Sequence, residues 1–416
     1  MISVQNHRLL LSGSKLLAFV AFLSFLASCS VLQPKAPTPT APKAEKPIEP
    51  KEPSEEPAKP VEASVNKVVL LLPFQLDKIK GEVPSRADVK RAEMPLDFYQ
   101  GFKLALDNLA KEGKNFQLNV VDTRDNVAQT STLARNSDVQ SADLIVGPIF
   151  PKEISAFASA ANLGYSLQVS PLAASAPSVF NIGNLVSLVA PIDQHAEGLA
   201  DYLTSKVRSR DRIIIYNSED SESVKFLVPL TKRLNEIGKG KIDLVEINNL
   251  EDLDSRMTSD GKNYFITALL NKFAVDGMLV KLTDVRNNFG YDIQLIGHPN
   301  WAKSSFQSTN LRDLNTIITT SYHVDPSNSK VRSFQQQYNR EFKIDPSEFA
   351  YKGYDTGYFF GSLLTKYGPD YAKSLLDESY KGLQTSYTFN YNPKWGYVNT
   401  FIQILQFDGY QYQPIK

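Results

Sequence analysis

The chain has 416 residues and a balanced charge, with 45 Lys and Arg residues against 45 Asp and Glu residues. Because no net positive field is available to attract phosphates, the composition excludes nucleic acid as the expected partner. The single cysteine excludes an intramolecular disulfide, so packing alone must stabilise the fold. Residues 66–416 are long enough to build two lobes, each with its own core.

The chain begins with a pattern typical of secreted bacterial proteins. Basic residues precede an apolar run from Leu16 to Leu23, which is shorter than the span of about 20 residues that a transmembrane helix needs. The run leads into Leu26-Ala27-Ser28-Cys29, which resembles the bacterial lipobox. This resemblance implies that residues 1–28 are a signal peptide and that Cys29 is acylated and attaches the protein to a membrane. The alternative is an ordinary secretory signal followed by a free cysteine.

The segment after the cysteine is predicted to be a tether. Residues 33–65 contain nine prolines, five lysines and six glutamates and almost no large apolar side chain, so they cannot form a core. Residues 29–65 are therefore interpreted as a disordered, extended linker, or as spacing of no selected length. Ser30 replaces the aspartate that resembles an inner-membrane retention signal, which favours anchoring in the outer membrane with the folded part in the periplasm.

Short apolar runs alternate with helical patterns in the rest of the chain. Val68–Leu72 is a predicted buried strand, and Pro95–Ala110 is a predicted helix that begins at Pro95. Further strands are predicted over 117–121, 143–147, 165–170, 212–216, 241–246, 264–268 and 292–297. The alternation predicts an α/β fold with two doubly wound parallel-sheet lobes. Residues 385–391 and 397–406 flank an Asn-Pro turn and are predicted to form an antiparallel hairpin.

A series of motifs resembles the type I periplasmic binding proteins, which include the leucine/isoleucine/valine-binding receptors of ABC transporters. The motifs are Tyr99-Gln100-Gly101-Phe102, Val120-Val121-Asp122-Thr123, Leu144-Ile145-Val146-Gly147-Pro148, Val169-Ser170-Pro171 and Ala350-Tyr351-Lys352-Gly353-Tyr354-Asp355. The resemblance covers nearly all of residues 67–416 and implies two lobes joined by a hinge with three crossovers. It places residues 67–190 and 322–384 in lobe one, and residues 191–321 and 385–416 in lobe two.

The resemblance also implies where a ligand would bind, because ligands of open parallel sheets lie beyond the carboxyl ends of the strands. In amino-acid receptors of the family, serine or threonine hydroxyls in two loops hold the ligand. Here those loops read Ile149-Phe150-Pro151-Lys152 and Ser170-Pro171-Leu172-Ala173-Ala174, so the expected ligand is a small polar molecule other than a standard amino acid. The candidate ligand-binding residues are Phe74, Phe150, Lys152, Ser170, Leu172, Ala173 and Trp301.

Two of these residues have simpler interpretations. Lys152 could meet a carboxylate or phosphate of the ligand as a point charge, or it is a solvated lysine at the start of a helix. Trp301 forms an aromatic lip on the pocket, or it packs in a core, since tryptophan buries a large area anywhere.

The sequence lacks the patterns of common enzymes. His195, His298 and His323 do not have metal-ligand spacing, and the sequence contains no Gly-x-Ser-x-Gly elbow or Gly-rich phosphate loop. No catalytic residue, metal site or cofactor is therefore assigned, and a non-enzymatic monomer is expected.

Two functions remain open. One is a lipid-anchored receptor that closes its two lobes on a small polar ligand, as ABC-transporter binding proteins do. The other is an interaction module similar to the outer-membrane lipoproteins that activate penicillin-binding proteins, with a cell-wall synthase as the partner.

Overall fold

The structure is a computed structural model that describes residues 65–164 and 166–415. The predicted signal peptide, Cys29 and the tether up to residue 64 lie outside the described residues. The strands are β1 (Asn66–Leu72), β2 (Phe116–Asp122), β3 (Leu144–Val146), β4 (Gln168–Ser170), β5 (Leu185–Ser187), β6 (Arg212–Tyr216), β7 (Asp243–Ile247), β8 (Lys262–Thr267), β9 (Asp292–Ile296), β10 (Ile317–Thr320), β11 (Tyr380–Lys381), β12 (Ser386–Tyr387), β13 (Phe389–Asn392), β14 (Gly396–Asn399), β15 (Gln403–Phe407) and β16 (Tyr412–Pro414).

Helices connect most of these strands. They are α1 (Arg86–Lys111), α2 (Val127–Leu133), α3 (Ser137–Gln140), α4 (Pro151–Ala160), α5 (Ile192–Lys206), α6 (Ser221–Gly238), α7 (Leu253–Arg256), α8 (Lys272–Phe289), α9 (Ser308–Asp313), α10 (Ser329–Phe342), α11 (Glu348–Tyr367) and α12 (Tyr371–Ser374). Short 3-10 turns also occur, among them Pro299–Lys303 after β9. Within the described residues, no helix has both the length and the apolar character needed to cross a membrane.

The strands form two large, mostly parallel sheets. The first has the order β13-β14-β5-β4-β3-β1-β2, and the second has the order β16-β15-β10-β9-β8-β6-β7. Strands β1 to β5 run parallel in the first sheet and β6 to β10 run parallel in the second, while β13, β15 and β16 are antiparallel to their neighbours. The predicted class of two doubly wound lobes is confirmed.

Each sheet is covered by helices on both faces. In lobe one, Val68, Leu70 and Leu72 face the cluster that includes α1 and α11, whereas Val69 and Leu71 face α2, α3 and α4. In lobe two, α7, α8 and α9 pack on one face of the sheet, and α5 and α6 pack on the other. Burial on both faces explains why the central strands read as continuous apolar runs instead of alternating patterns.

The chain crosses between the two sheets three times. The first crossover, residues 188–191, follows β5 and leads to α5. The second, residues 321–323, follows β10, and the third, residues 400–402, joins β14 to β15. The three crossovers therefore make up a hinge of the kind that the resemblance implies.

The hairpin prediction was right about the pairing next to the Asn-Pro turn but wrong about the length of both strands and about the lobe. Strand β13 pairs with β14 across a turn at residues 393–395, and β14 runs parallel to β5, so both belong to the first sheet. Only β15 and β16 join the second sheet. The resemblance to the family had placed all of residues 385–416 in lobe two, whereas the third crossover comes after β14, at residues 400–402.

Helix α1 begins earlier than predicted. Ser85 is the N-cap, and it forms a capping box with Asp88, so the helix starts at Arg86 and Pro95 lies inside it. Proline lacks the backbone N–H that a helix interior uses, so it is more common at the first helical position. Pro95 was therefore predicted to begin the helix.

Candidate functional site

The carboxyl edges of the two parallel sheets adjoin each other. The first crossover leaves the carboxyl end of β5, and the third leaves the same edge because β14 runs parallel to β5. The second crossover leaves the carboxyl end of β10, and β15 enters beside it, since Gln403 pairs with Thr320. All three connections therefore join one carboxyl edge to the other, and the space between these edges is the candidate site.

Six of the seven predicted ligand-binding residues lie on neighbouring loops of the lobe-one edge. Phe74 follows β1, Phe150 follows β3 with Lys152 in the first turn of α4, and Ser170 ends β4 with Leu172 and Ala173 just after it. Because β1, β3 and β4 are adjacent in the sheet, the structure brings these three loops together.

Much of the lobe-one edge is apolar. Phe74, Phe150 and Leu172 are half-buried and pack on the lobe-one core. The ring of Tyr99 meets that of Phe74 edge to face, with 6.3 Å between the ring centroids. Ala173 is buried and packs in a separate small cluster.

The start of α4 adds positive potential to this edge. Phe150 is the N-cap and contributes no side-chain hydrogen bond, and Pro151 is the first helical residue. Lys152 is exposed at the second position. The free N–H groups of a first helical turn and a nearby ammonium group both favour an anion, although exposure is also what a purely solvated lysine would show.

Two buried hydroxyl groups at the same edge lack partners. Ser170 ends β4 and Ser187 ends β5, and the two residues are paired in register. They are 1% and 2% exposed, and within residues 65–164 and 166–415 neither hydroxyl has a hydrogen-bond partner. A buried polar group left unpaired costs about 1–3 kcal/mol. Ser187 was missed from sequence because the three-residue strand β5 was not recognised.

A third polar group near this edge is partly satisfied. Oε1 of Glu153, on α4, accepts hydrogen bonds from the Asn126 N–H at 3.2 Å and from the Thr130 hydroxyl at 3.0 Å. Its Oε2 has no partner in the described part of the chain. Burial raises the pKa of Glu153 above its ordinary value, against the opposing effect of its hydrogen bonds.

Trp301 does not form an aromatic lip. Its side chain is fully buried in the lobe-two core, beside Phe306 at 5.1 Å between ring centroids. The indole N–H donates to the carbonyl oxygen of Leu269 at 2.7 Å, so its one polar group is already satisfied. Trp301 is therefore a core residue, which was the alternative interpretation of its position.

The polar groups of the lobe-two edge satisfy one another. His195 Nδ1 and the Thr319 hydroxyl lie 2.9 Å apart, and His298 Nδ1 accepts a hydrogen bond from the Asn300 N–H at 3.1 Å. Burial lowers the pKa of both histidines to about 4, so both are neutral at pH 7. Asp220 caps α6 by accepting the N–H groups of Glu222 and Ser223, each at 3.0 Å.

A charged cluster links the lobes next to the hinge. Lys303 of lobe two lies 2.9 Å from Glu348 of lobe one, which also meets Lys352 at 3.2 Å. Both ammonium groups lie over the ring of Tyr322, at 5.5 and 4.6 Å from its centroid. Burial opposes ionisation of Glu348, but the two lysines outweigh it and hold the pKa of this carboxyl below its usual range. Sequence reasoning missed this cluster, since its members are far apart in the chain.

The described residues contain no group of three or more side chains arranged to hold a metal ion. The candidate site thus lies between a largely apolar edge, at which two buried hydroxyls have no partner among the described residues, and an edge at which the histidines and the indole are paired. Two doubly wound lobes with adjoining carboxyl edges, joined by three connecting segments, define a two-lobed binding fold.

The sequence matches a family model in agreement with this fold. A model described as periplasmic binding protein matches residues 92–390, which is more than half of the chain. The protein belongs to the periplasmic binding protein family. A search of curated proteins gave no match.

Solved structures with the same fold have low sequence identity to the chain. A putative branched-chain amino acid ABC transporter protein from Rhodospirillum rubrum has 14% identity and a TM-score of 0.59, with 85% of this chain and 100% of that one covered. An ABC transporter substrate-binding protein from Desulfitobacterium hafniense has 16% identity and a TM-score of 0.54, with the same coverage. The C-domain of LpoA (YraM) from Haemophilus influenzae, a regulator of PBP1A, has 12% identity and a TM-score of 0.53, with 84% and 100% covered. At these identities the likeness shows the fold alone.

Proposed function

We propose that this protein is a lipid-anchored, non-enzymatic receptor of the bacterial cell envelope that closes its two lobes on a small polar ligand. The observation that carries the proposal is the pair of buried hydroxyls of Ser170 and Ser187 at the lobe-one edge, neither of which has a partner among the residues that the structure describes. A ligand that bonds to both hydroxyls removes their desolvation cost, which gives the bound state an advantage over the empty one.

The composition of the lobe-one edge supports a ligand with two unlike parts. An acceptor or anionic group of the ligand fits the two serines and Lys152 at the start of α4. An apolar part fits against Phe74, Phe150 and Leu172. A standard amino acid fits less well, because the family's hydroxyl-bearing ligand loops are Ile149-Phe150-Pro151-Lys152 and Leu172-Ala173-Ala174 here.

A thermal-shift screen of the purified protein against amino acids, peptides, sugars and muropeptides tests the receptor function. A ligand that binds only the folded state adds about 2.7 kcal/mol to the free energy of unfolding at 100 times its Kd, and it therefore raises the melting temperature. A shift with one compound class supports the receptor. Failure of every class to shift the melting temperature would count against it.

The anchor is part of the same proposal and has its own test. If Cys29 carries the lipid, the Cys29→Ala variant leaves the membrane fraction and is recovered in the soluble periplasmic fraction. A variant that stays in the membrane fraction contradicts the lipid anchor. Separating inner from outer membranes in the wild type then tests the outer-membrane address that Ser30 favours.

The apolar character of the lobe-one edge favours a second function. The half-buried side chains of Phe74, Phe150 and Leu172, and the absence of the hydroxyl with which the family's loops hold an amino acid, also suit a protein partner. The LpoA C-domain shares the fold. On this alternative the protein regulates a peptidoglycan synthase. Retention of a penicillin-binding protein on the immobilised protein, together with no response in the ligand screen, would support it. Without such retention the alternative fails.

A further inference from the structure

Asp355 is a fully buried carboxylate on α11 that gathers hydrogen bonds from one turn. Its Oδ1 accepts the Leu383 N–H at 2.7 Å and the Tyr380 hydroxyl at 3.2 Å. Its Oδ2 accepts the N–H groups of Gln384 at 2.9 Å and Thr385 at 3.1 Å. Three consecutive backbone donors therefore converge on one side chain.

The turn that Asp355 holds is attached directly to the second crossover. The Gln384 carbonyl accepts the His323 N–H at 2.7 Å, and the Thr385 hydroxyl donates to the Ser321 carbonyl at 2.9 Å. Thr385 also forms an isolated antiparallel bridge with Tyr322. The position of residues 321–323 is thus fixed by residues 384 and 385, whose own position is fixed by Asp355.

The other two crossovers are connected to the same segment through Asn399. Its side-chain amide donates to the Ser386 carbonyl at 3.1 Å and to the Leu188 carbonyl at 3.0 Å. Its Oδ1 accepts the Phe401 N–H at 3.1 Å. Ser386 follows the Asp355-bound turn, so one short segment is connected to the second crossover directly and to the other two through Asn399.

The turn passes close to the buried carboxyl group of Asp355. A Cβ on Gly382 would lie 2.4 Å from Asp355 Oδ1, so the turn must approach with a glycine at this position. The ionisable side chains that interact electrostatically with Asp355 include Tyr354, Tyr380 and Tyr387. Burial raises the pKa of Asp355 to about 6 even though the four donors favour the carboxylate.

We propose that Asp355 is the positioning residue of the hinge: its carboxylate fixes the turn 383–385 and, through it, the crossovers about which the two lobes move. The ligand does not enter this inference, which would hold equally for a receptor and for a protein-binding module. Its tests are made without ligand, so their failure is independent of any failure of the proposed function.

The first test is amide hydrogen exchange of the full chain with Asp355→Asn. An Asn side chain keeps the shape but offers only one acceptor oxygen, so at least one of the three N–H groups loses its partner. We expect exchange at residues 321–323 and 383–385 to become about tenfold faster or more, while β1 and β6 exchange as in the wild type. Tyr380→Phe removes only the hydroxyl donor, and it gives the same pattern with a smaller change.

The matched control is Asp97→Asn, which changes another buried carboxyl of lobe one. Asp97 is 7% exposed, its pKa is also raised by burial, and its partners are Ser347 and Tyr338. This variant is expected to leave exchange at the crossovers unchanged. The inference is overturned if the crossovers do not respond to Asp355→Asn, if β1 accelerates as much as they do, or if Asp97→Asn has the same effect on them.

The second test measures the distance between the lobes. Spin labels are attached to cysteines introduced by Lys114→Cys in lobe one and Lys239→Cys in lobe two, both exposed positions. The Cys29→Ala background ensures that only these two sites are labelled. Asp355→Asn should broaden the distribution of distances, and Asp97→Asn should leave it unchanged. Equal widths for the wild type and Asp355→Asn would contradict a role in positioning the hinge.

Discussion

The five parallel strands of each lobe have the same order, but the carboxyl edges of the two lobes satisfy their polar groups in different ways. In lobe two, His195 meets Thr319, His298 meets a backbone N–H, and the indole of Trp301 meets a carbonyl. In lobe one, the hydroxyls of Ser170 and Ser187 are buried with no partner among the described residues. The difference teaches that hydroxyls at the carboxyl ends of the strands are paired in lobe two and left without a partner among the described residues in lobe one, which is the contrast on which the proposed ligand site rests.

Replacement of Trp301 gives the largest expected change in stability. Trp301→Ala removes a fully buried indole from the lobe-two core and leaves the Leu269 carbonyl without its donor. We expect the free energy of unfolding to fall by about 3–5 kcal/mol in urea denaturation. A loss below about 1 kcal/mol would mean that Trp301 is not a core residue and would reopen its role at the cleft.

The lobe-two histidines give the next largest expected change, a dependence of the unfolding free energy on pH. Their folded-state pKa of about 4 lies below the ordinary 6.5, so between these values the unfolded chain binds protons that the folded chain does not. Stability is therefore lost as the pH falls from 6.5 towards 4. Between pH 7 and pH 5, each histidine lowers the free energy of unfolding by about 2 kcal/mol.

The measurement is urea unfolding at the two pH values for the wild type and His298→Gln. The variant should lose about 2 kcal/mol less than the wild type between pH 7 and pH 5. Asp355 acts in the opposite direction, because its pKa is raised from 3.8 to about 6 and the folded chain binds the extra proton as the pH falls. An identical pH dependence in the wild type and the variant would show that His298 is not a buried neutral group.

The ion cluster between the lobes gives a smaller effect on stability. Glu348→Gln removes the charge that Lys303 and Lys352 share, and since these groups are partly exposed we expect a change of less than about 1 kcal/mol. The control is Asp276→Asn, which breaks the Lys272–Asp276 pair of 2.9 Å within lobe two. Only Glu348→Gln should shift the distance between the lobes, measured with the spin labels at Lys114 and Lys239. A shift in both variants, or in neither, contradicts a bridging role for Glu348.

Ser170→Ala gives the smallest expected change and tests the comparison directly. Because its hydroxyl is unpaired, its removal should leave the unfolding free energy unchanged or raise it by up to about 1 kcal/mol. Thr319→Val is the matched change in lobe two, where loss of the partner of His195 should cost about 1–3 kcal/mol. Thermal unfolding of the two variants side by side is the measurement. Equal losses would remove the distinction between the two edges.

The sequence was sufficient for the architecture because buried parallel strands are continuous apolar runs. The prediction for 212–216 matches β6 at both ends, and 292–297 exceeds β9 by one residue. Strands β5 and β10 were missed, since runs of three and four residues with serine or threonine do not stand out from loops. The loops at the lobe-one edge were predicted because strand direction alone determines where they lie.

Side-chain direction and long-range pairing could not be predicted from the sequence. Whether Trp301 points into the core or the cleft depends on the 3-10 turn at Pro299–Lys303, which no sequence pattern predicted. Ser187 needed the register of β5 with β4, and the link between Lys303 and Glu348 needed the packing of the two lobes near the hinge. Strands β13 and β14 belong to lobe one because β14 pairs with β5, and this long-range pairing likewise could not be predicted.

Lobe closure on a ligand that needs the lobe-one serines is the central claim, and one distance measurement tests it most directly. The distance between the spin labels at positions 114 and 239, in the Cys29→Ala background, is measured with and without the compound that gives the largest thermal shift, first with Ser170 intact and then in Ser170→Ala. We predict that the compound shifts the wild-type distribution to a single narrower distance and leaves that of Ser170→Ala unchanged. A compound that binds without changing the distance, or that closes both proteins equally, would contradict the account.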